Sequence, residues 1–164
     1  MFQRYKNIIM WVLYAAMFLL VMLFQTAVFG RTRFFGVKLD LIPVVLVCIS
    51  AFVGHESGGL FCLLAALVWH LSGAEDGPLA IITMTACGIA SGFVCSQFSR
   101  RFFPAMGMCA AALLFHESAR FLLKYYLGSA EGALVLWVLK ILLLSLLAWP
   151  GCYLLAKAIR KVGE

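Results

Sequence analysis

Charged side chains are scarce in this chain of 164 residues. Asp, Glu, Lys and Arg together make up 12%, against about 25% in soluble domains, whereas hydrophobic residues make up 65%. A soluble chain of this size cannot bury so much apolar surface, and large exposed apolar patches promote aggregation. The composition therefore excludes a soluble enzyme, a nucleic-acid-binding domain and a disordered tail, and it predicts an integral membrane protein.

The short motifs that carry catalysis are also missing. The sequence has no Gly-rich phosphate loop, no G-x-S-x-G, no H-E-x-x-H and no carboxylate pair spaced for acid–base work. His55, Glu56 and Ser57 are the residue types of a hydrolytic triad, but consecutive residues cannot fold onto one another in those roles. We therefore expect neither enzymatic activity nor a cofactor.

The six cysteines lack the spacing of a metal site, since none forms a C-x-x-C pair or has a histidine at zinc spacing. All lie inside apolar runs: Cys48, Cys62, Cys87, Cys95, Cys109 and Cys152. They are predicted to pack as small apolar residues, without a disulfide or a bound metal.

Six apolar runs organise the chain, and a membrane-spanning helix needs about 20 such residues. The runs are 8–29, 39–54, 58–71, 78–98, 103–127 and 133–156. The second and third are short, so residues 39–71 form either two short spans or a re-entrant pair that is buried against protein. The prediction is one all-α transmembrane domain, 1–164, a bundle of about six helices.

The basic residues predict the orientation, because Lys and Arg are enriched in cytoplasmic loops. With a cytoplasmic N-terminus, the inner side holds Arg4, Lys6, Arg100, Arg101, Lys157, Arg160 and Lys161, and the outer side holds Arg31, Arg33 and Lys38. We therefore expect both termini in the cytoplasm.

An internal similarity appears when the chain is shifted by 61 positions. Pro43, Cys48, Ala51 and 55–57 then fall on Pro104, Cys109, Ala112 and 116–118, the last segments both reading His-Glu-Ser. Either this is an inverted repeat, as in many transporters, or two Ala- and Leu-rich helices match by chance.

Charged residues inside the fifth run are the clearest functional signal. Glu117, Arg120 and Lys124 have the i, i+3, i+7 spacing of one helix face, and each intramembrane charge costs about 2.5–3.5 kcal/mol. Lys140, in the sixth run, reaches a depth similar to that of Glu117. In one interpretation, Arg120 and Lys124 extend to the outer interface while Glu117 and Lys140 form an internal ion pair. In the others, this face docks a second membrane protein or serves a ligand or ion.

Gly88 and Gly92 form a G-x-x-x-G motif in the fourth run, flanked by Met84 and Ser96 at the same four-residue spacing. Small residues let helix backbones approach closely in lipid. The motif serves either packing within the chain or the docking of a partner helix.

Five segments of the chain form a recognisable set: 23–25 (Leu-Phe-Gln), 40–46 (Asp-Leu-Ile-Pro-Val-Val-Leu), 54–60 (Gly-His-Glu-Ser-Gly-Gly-Leu), 65–70 (Ala-Ala-Leu-Val-Trp-His) and 77–80 (Gly-Pro-Leu-Ala). With them, the chain resembles the rod shape-determining protein MreD family. Two positions depart from the family pattern. The family often has Pro-Asp where this chain has Asp40 before Pro43, and His70 stands where the family often has Asp.

The resemblance implies a non-enzymatic membrane scaffold of the bacterial cell-elongation machinery, in the cytoplasmic membrane. Such a protein binds the single-span protein MreC and, through it, MreB, RodA and a class B penicillin-binding protein. Glu117, Arg120, Lys124, Lys140, Gly88 and Gly92 are the candidate partner-binding residues.

The alternative is the substrate-binding S component of an energy-coupling-factor vitamin transporter, which is a similarly small six-helix protein. S components dock their partner through alanines at four-residue spacing on the first helix. Here Leu19 and Leu20 follow Ala15 and Ala16 at that spacing, so the alanine stripe is absent.

Overall fold

The computed structural model describes residues 2–29, 40–73, 77–97, 102–128 and 134–163, and most of them are helical. The α-helices are α1 (Phe2–Phe24), α2 (Ile42–Val53), α3 (His55–Leu71), α4 (Pro78–Gln97), α5 (Phe102–Tyr126) and α6 (Leu134–Gly163). A short π-helical segment, Gln25–Phe29, extends α1. These ranges contain no β-strand, so the predicted all-α class and the number of helices are confirmed.

Within the described ranges, four helical segments are long and apolar enough to cross a bilayer. They are Tyr5–Val28, Pro78–Gln97, Phe102–Tyr126 and Val138–Gly163. α2 has 12 residues and α3 has 17, in keeping with the short runs predicted within 39–71. α1 begins six residues before the first predicted run, and α6 ends seven residues after the sixth. The polar and basic residues at these two ends continue the helices rather than end them.

The break between α2 and α3 is narrower than predicted. Gly54 alone separates the two helices, whereas the sequence suggested an interruption over 55–59. Gly54 has a φ of 105°, a conformation that only glycine adopts at little cost. Residues 55–59 instead form the start of α3, where Glu56 lies in the first turn and is favoured by the helix dipole.

α2 is the central helix of the bundle. Residues 41–52 are all buried, and α2 contacts each of the other five helices. Val45 and Ile49 belong to one apolar core cluster, and Ile42 and Leu46 belong to a second. Enclosure by protein is the arrangement expected of an apolar segment too short to cross a bilayer alone.

α4 approaches the α2–α3 hairpin closely at its small residues. A Cβ added to Gly92 would lie 2.7 Å from the carbonyl carbon of Gly54, and one added to Gly88 would lie 2.4 Å from Sγ of Cys62. The Ser50 hydroxyl also donates a hydrogen bond to the Gly88 carbonyl. The G-x-x-x-G motif is therefore used for packing within the chain.

Candidate functional site

The candidate site lies at the beginning of α2, which starts inside the bundle. The first N–H groups of a helix have no partner within the helix and need one elsewhere when they are buried. The Leu41 N–H donates to Oε1 of Gln25 at 3.1 Å, and the Ile42 N–H donates to Oδ1 of Asp40 at 3.3 Å. Pro43 has no N–H to satisfy. Two polar side chains thus support the buried end of an apolar helix.

Asp40 connects this helix end to α5 and α6. Its backbone carbonyl accepts a hydrogen bond from the Ser145 hydroxyl of α6 at 3.1 Å. Its Oδ2 accepts one from Nη1 of Arg120 on α5 at 2.8 Å. The Asp40 side chain is 7% exposed and that of Arg120 is 18% exposed, so the ion pair is largely desolvated. Such a charge-assisted hydrogen bond is short and strong.

Glu117 lies on the same face of α5 as Arg120, as the spacing predicted. Its Oε1 is 3.3 Å from Nη1 of Arg120, and its side chain is 1% exposed. Arg120 therefore contacts two carboxylates of its own chain, one from the same helix and one that is 80 positions away in sequence. These charges are thus paired within the chain, and the partner of Arg120 is Asp40, which the sequence did not predict.

His116 places a ring nitrogen beside this ion pair. The residue is fully buried, and its Nδ1 is 2.8 Å from Oγ1 of Thr83 on α4. Its Nε2 is 4.0 Å from Oδ2 of Asp40 and has no hydrogen-bond partner within the described part of the chain. A buried ring nitrogen without a partner is costly, so this atom is a candidate to bind a ligand.

Asp40, His116 and Glu117 together form a set of ligand atoms suited to a cation. One ligand atom from each lies within 4.8 Å of the others, and all three residues are buried. Arg120 contacts both carboxylates, so its guanidinium already supplies positive charge there. The cluster can stabilise the fold as an ion-pair network or hold a metal ion in the same charged environment.

The opposite end of α2 is also supported by a charged side chain. Arg160, in the last turn of α6, donates a hydrogen bond to the backbone carbonyl of Phe52. The last carbonyls of a helix lack intrahelical partners and attract cations. Each end of the buried helix is therefore held by a side chain whose charge matches the helix dipole.

The other predicted site residues lie elsewhere on the bundle. Lys124 on α5 and Lys140 on α6 are exposed. Gly88 and Gly92 are buried against the α2–α3 hairpin, as described above. The predicted Glu117–Lys140 ion pair stays a prediction.

The two His-Glu-Ser segments lie in different environments. The first opens α3, where the side chains of His55 and Glu56 are 49% and 88% exposed. The second lies inside α5, where His116 and Glu117 are buried. The residues of the internal similarity thus do not have matching surroundings.

Sequence reasoning did not identify Asp40 and His116 as site residues. One signal was available for Asp40, because it is a lone carboxylate between a basic connection and an apolar run. Comparison of the chain with protein-family models, curated proteins and solved structures finds no match. The functional assignment therefore depends on the residues and on the resemblance they carry.

Proposed function

We propose that this chain is a multi-pass protein of the bacterial cytoplasmic membrane, with both termini in the cytoplasm. In this proposal it is a non-enzymatic scaffold of the cell-elongation complex that binds an MreC-like single-span protein. MreB, RodA and a class B penicillin-binding protein are the indirect partners. The resemblance of five segments to the MreD family supports this assignment, as do the four helices long enough to span.

The observation that carries the proposal is the pairing of Arg120 with Asp40 at 2.8 Å and with Glu117 at 3.3 Å. A scaffold needs a rigid helical body, and a largely buried ion pair that joins α5 to the start of α2 supplies a fixed connection. The charges with the highest cost in a membrane are thus used to hold the bundle together.

Exposed groups of α5 and α6 define the proposed docking surface. Lys124 and Lys140 are both exposed, so a partner helix can reach them. Glu117 and Arg120 then act on the partner through the position of α5. Gly88 and Gly92 act through the packing of α4, since their own small faces are covered by the α2–α3 hairpin.

Affinity purification of a tagged chain from native membranes in mild detergent tests the proposal, with mass spectrometry of the recovered proteins. The wild type is expected to recover an MreC-like protein together with the elongation synthase. Lys140→Glu should lower that recovery by about fivefold, because a reversed charge at an interface costs about 1 kcal/mol or more. Lys157→Glu is the matched control, since this lysine is also exposed on α6 and should leave recovery unchanged. Equal recovery for all three proteins contradicts the docking surface.

The vitamin-binding S component is the second candidate, and one observation favours it. The buried Nε2 of His116 has no partner in the described residues, as a group that awaits a small polar ligand would. An S component should recover an ATPase pair and a transmembrane coupling protein in the same purification. It should also bind a vitamin tightly, whereas a scaffold should bind none.

A further inference from the structure

The surroundings of His116 indicate which of its ring nitrogens carries the proton. The Thr83 hydroxyl has one proton to donate, and the backbone carbonyls of Leu79 and Ala80 lie 3.1 and 3.2 Å from Oγ1. A hydroxyl that donates to either carbonyl accepts the Nδ1–H of His116, which is 2.8 Å away. The lone pair is then on Nε2, which faces Oδ2 of Asp40 at 4.0 Å.

We propose that Asp40, His116 and Glu117 bind one divalent transition-metal ion with the ligand preferences of Zn²⁺. Imidazole nitrogen and carboxylate oxygen are ordinary ligands of such ions. The other ring nitrogen of a metal-bound histidine usually donates to a fixed acceptor, and Thr83 is placed to be that acceptor. The proposal does not depend on the scaffold function, and it differs from the sequence-based expectation of no metal.

The distances describe an open arrangement of the three ligands. Ligand atoms on a tetrahedral zinc ion lie roughly 3.3 Å apart, given bonds of about 2.1 Å, whereas these three lie within 4.8 Å of one another. Binding therefore requires the ligand atoms to approach one another by up to about 1.5 Å. We expect rotation of the Asp40 and Glu117 side chains to supply this movement.

Arg120 competes with a metal ion for the carboxylate oxygens of Asp40 and Glu117. Its Nη1 contacts Oδ2 of Asp40 and Oε1 of Glu117, so the guanidinium and a metal ion would share the same oxygens. Arg120 is the most exposed member of the cluster, at 18%, and can turn away when a metal binds. Loss of its charge should therefore strengthen metal binding.

The first test uses the full chain, purified in detergent, stripped with EDTA and titrated with ZnCl₂. We expect about one Zn²⁺ per chain after desalting and a rise in Tm of about 5 °C at saturating Zn²⁺. His116→Ala should reduce Zn²⁺ retention by about tenfold or more, because loss even of a group that only orients a ligand costs about 10–100-fold in metal affinity. His55→Ala is the matched control, because His55 belongs to the other His-Glu-Ser segment and is half exposed.

A second variant keeps the proposal falsifiable if His116→Ala does not fold. Arg120→Gln should bind Zn²⁺ about tenfold more tightly than the wild type, and Zn²⁺ should raise its Tm by more. The proposal is overturned if the wild type retains no zinc above the level of the EDTA-treated sample. It is also overturned if His116→Ala and His55→Ala retain equal amounts, or if Arg120→Gln binds zinc no better than the wild type.

Discussion

Replacement of Asp40 by Asn isolates the ion pair that joins α5 to the start of α2. The amide keeps the shape of the carboxylate and an oxygen that can accept the Ile42 N–H, whose present partner is Oδ1 at 3.3 Å. It removes the negative charge that Arg120 contacts at 2.8 Å. The variant therefore reports on the charge rather than on the cap of α2.

The expected loss follows from the burial of the pair. Removing one partner of a fully buried ion pair costs about 3–5 kcal/mol because the other charge is left uncompensated. Arg120 is 18% exposed and keeps Glu117 at 3.3 Å, so solvent and the second carboxylate reduce the loss. We expect Asp40→Asn to lower the free energy of unfolding by about 2–3 kcal/mol.

Unfolding with SDS in mixed micelles, followed by tryptophan fluorescence and with EDTA present, provides the measurement. A double-mutant cycle with Arg120→Gln should give a coupling energy of about 1–3 kcal/mol. Glu56→Gln is the control carboxylate, because Glu56 is 88% exposed beside His55, and it should change stability by less than about 0.5 kcal/mol. A coupling energy below about 0.5 kcal/mol would refute the claim that the pair holds α5 to α2.

Three further changes test the packing around α2 by the same unfolding assay. Gly92→Ala should cost about 1–3 kcal/mol because the added Cβ would lie 2.7 Å from the backbone of the connection between α2 and α3. Gly107→Ala, with open space around it, should be neutral or stabilise by up to about 1 kcal/mol. Equal effects of the two changes would contradict the close contact at Gly92. Trp149→Ala should cost about 3–5 kcal/mol, and Trp149→Phe should cost far less because the buried indole N–H has no partner in the described residues. A Phe variant as unstable as the Ala variant would show that the indole N–H makes a hydrogen bond. Arg160→Gln should cost about 1–3 kcal/mol because it weakens the hydrogen bond to the Phe52 carbonyl at the end of α2. Lys157 is exposed, so Lys157→Gln should cost less than about 0.5 kcal/mol. Similar losses for the two variants would argue against the hydrogen bond.

Local patterns in the sequence predicted the helices well because helix formation depends on near neighbours. Pro78 marked the beginning of α4, which ends at Gln97, within one residue of the predicted 98. The turn between α2 and α3 was misplaced because His55, Glu56 and the following small residues look like a loop in sequence. In the structure the small residues are needed for close approach, since a Cβ on Gly58 would lie 2.3 Å from Oγ of Ser50.

Local sequence patterns predicted only part of the candidate site. Glu117 and Arg120 lie on one face of α5, as their spacing predicted, and their side chains contact each other there. Asp40 is 80 positions from Arg120, and Thr83 is 33 positions from His116. Periodicity carries no information on contacts of that range, which arise from the order in which the helices pack.

Direct binding to an MreC-like protein tests the central claim most directly. The purified chain and the MreC-like protein of the same organism would be labelled and incorporated together in lipid nanodiscs, and energy transfer between the labels would be measured. The scaffold account predicts transfer well above that of an unrelated single-span protein, with loss of the signal when unlabelled MreC-like protein is added. Transfer no greater than that of the unrelated protein, from a chain shown to be folded, would contradict the account.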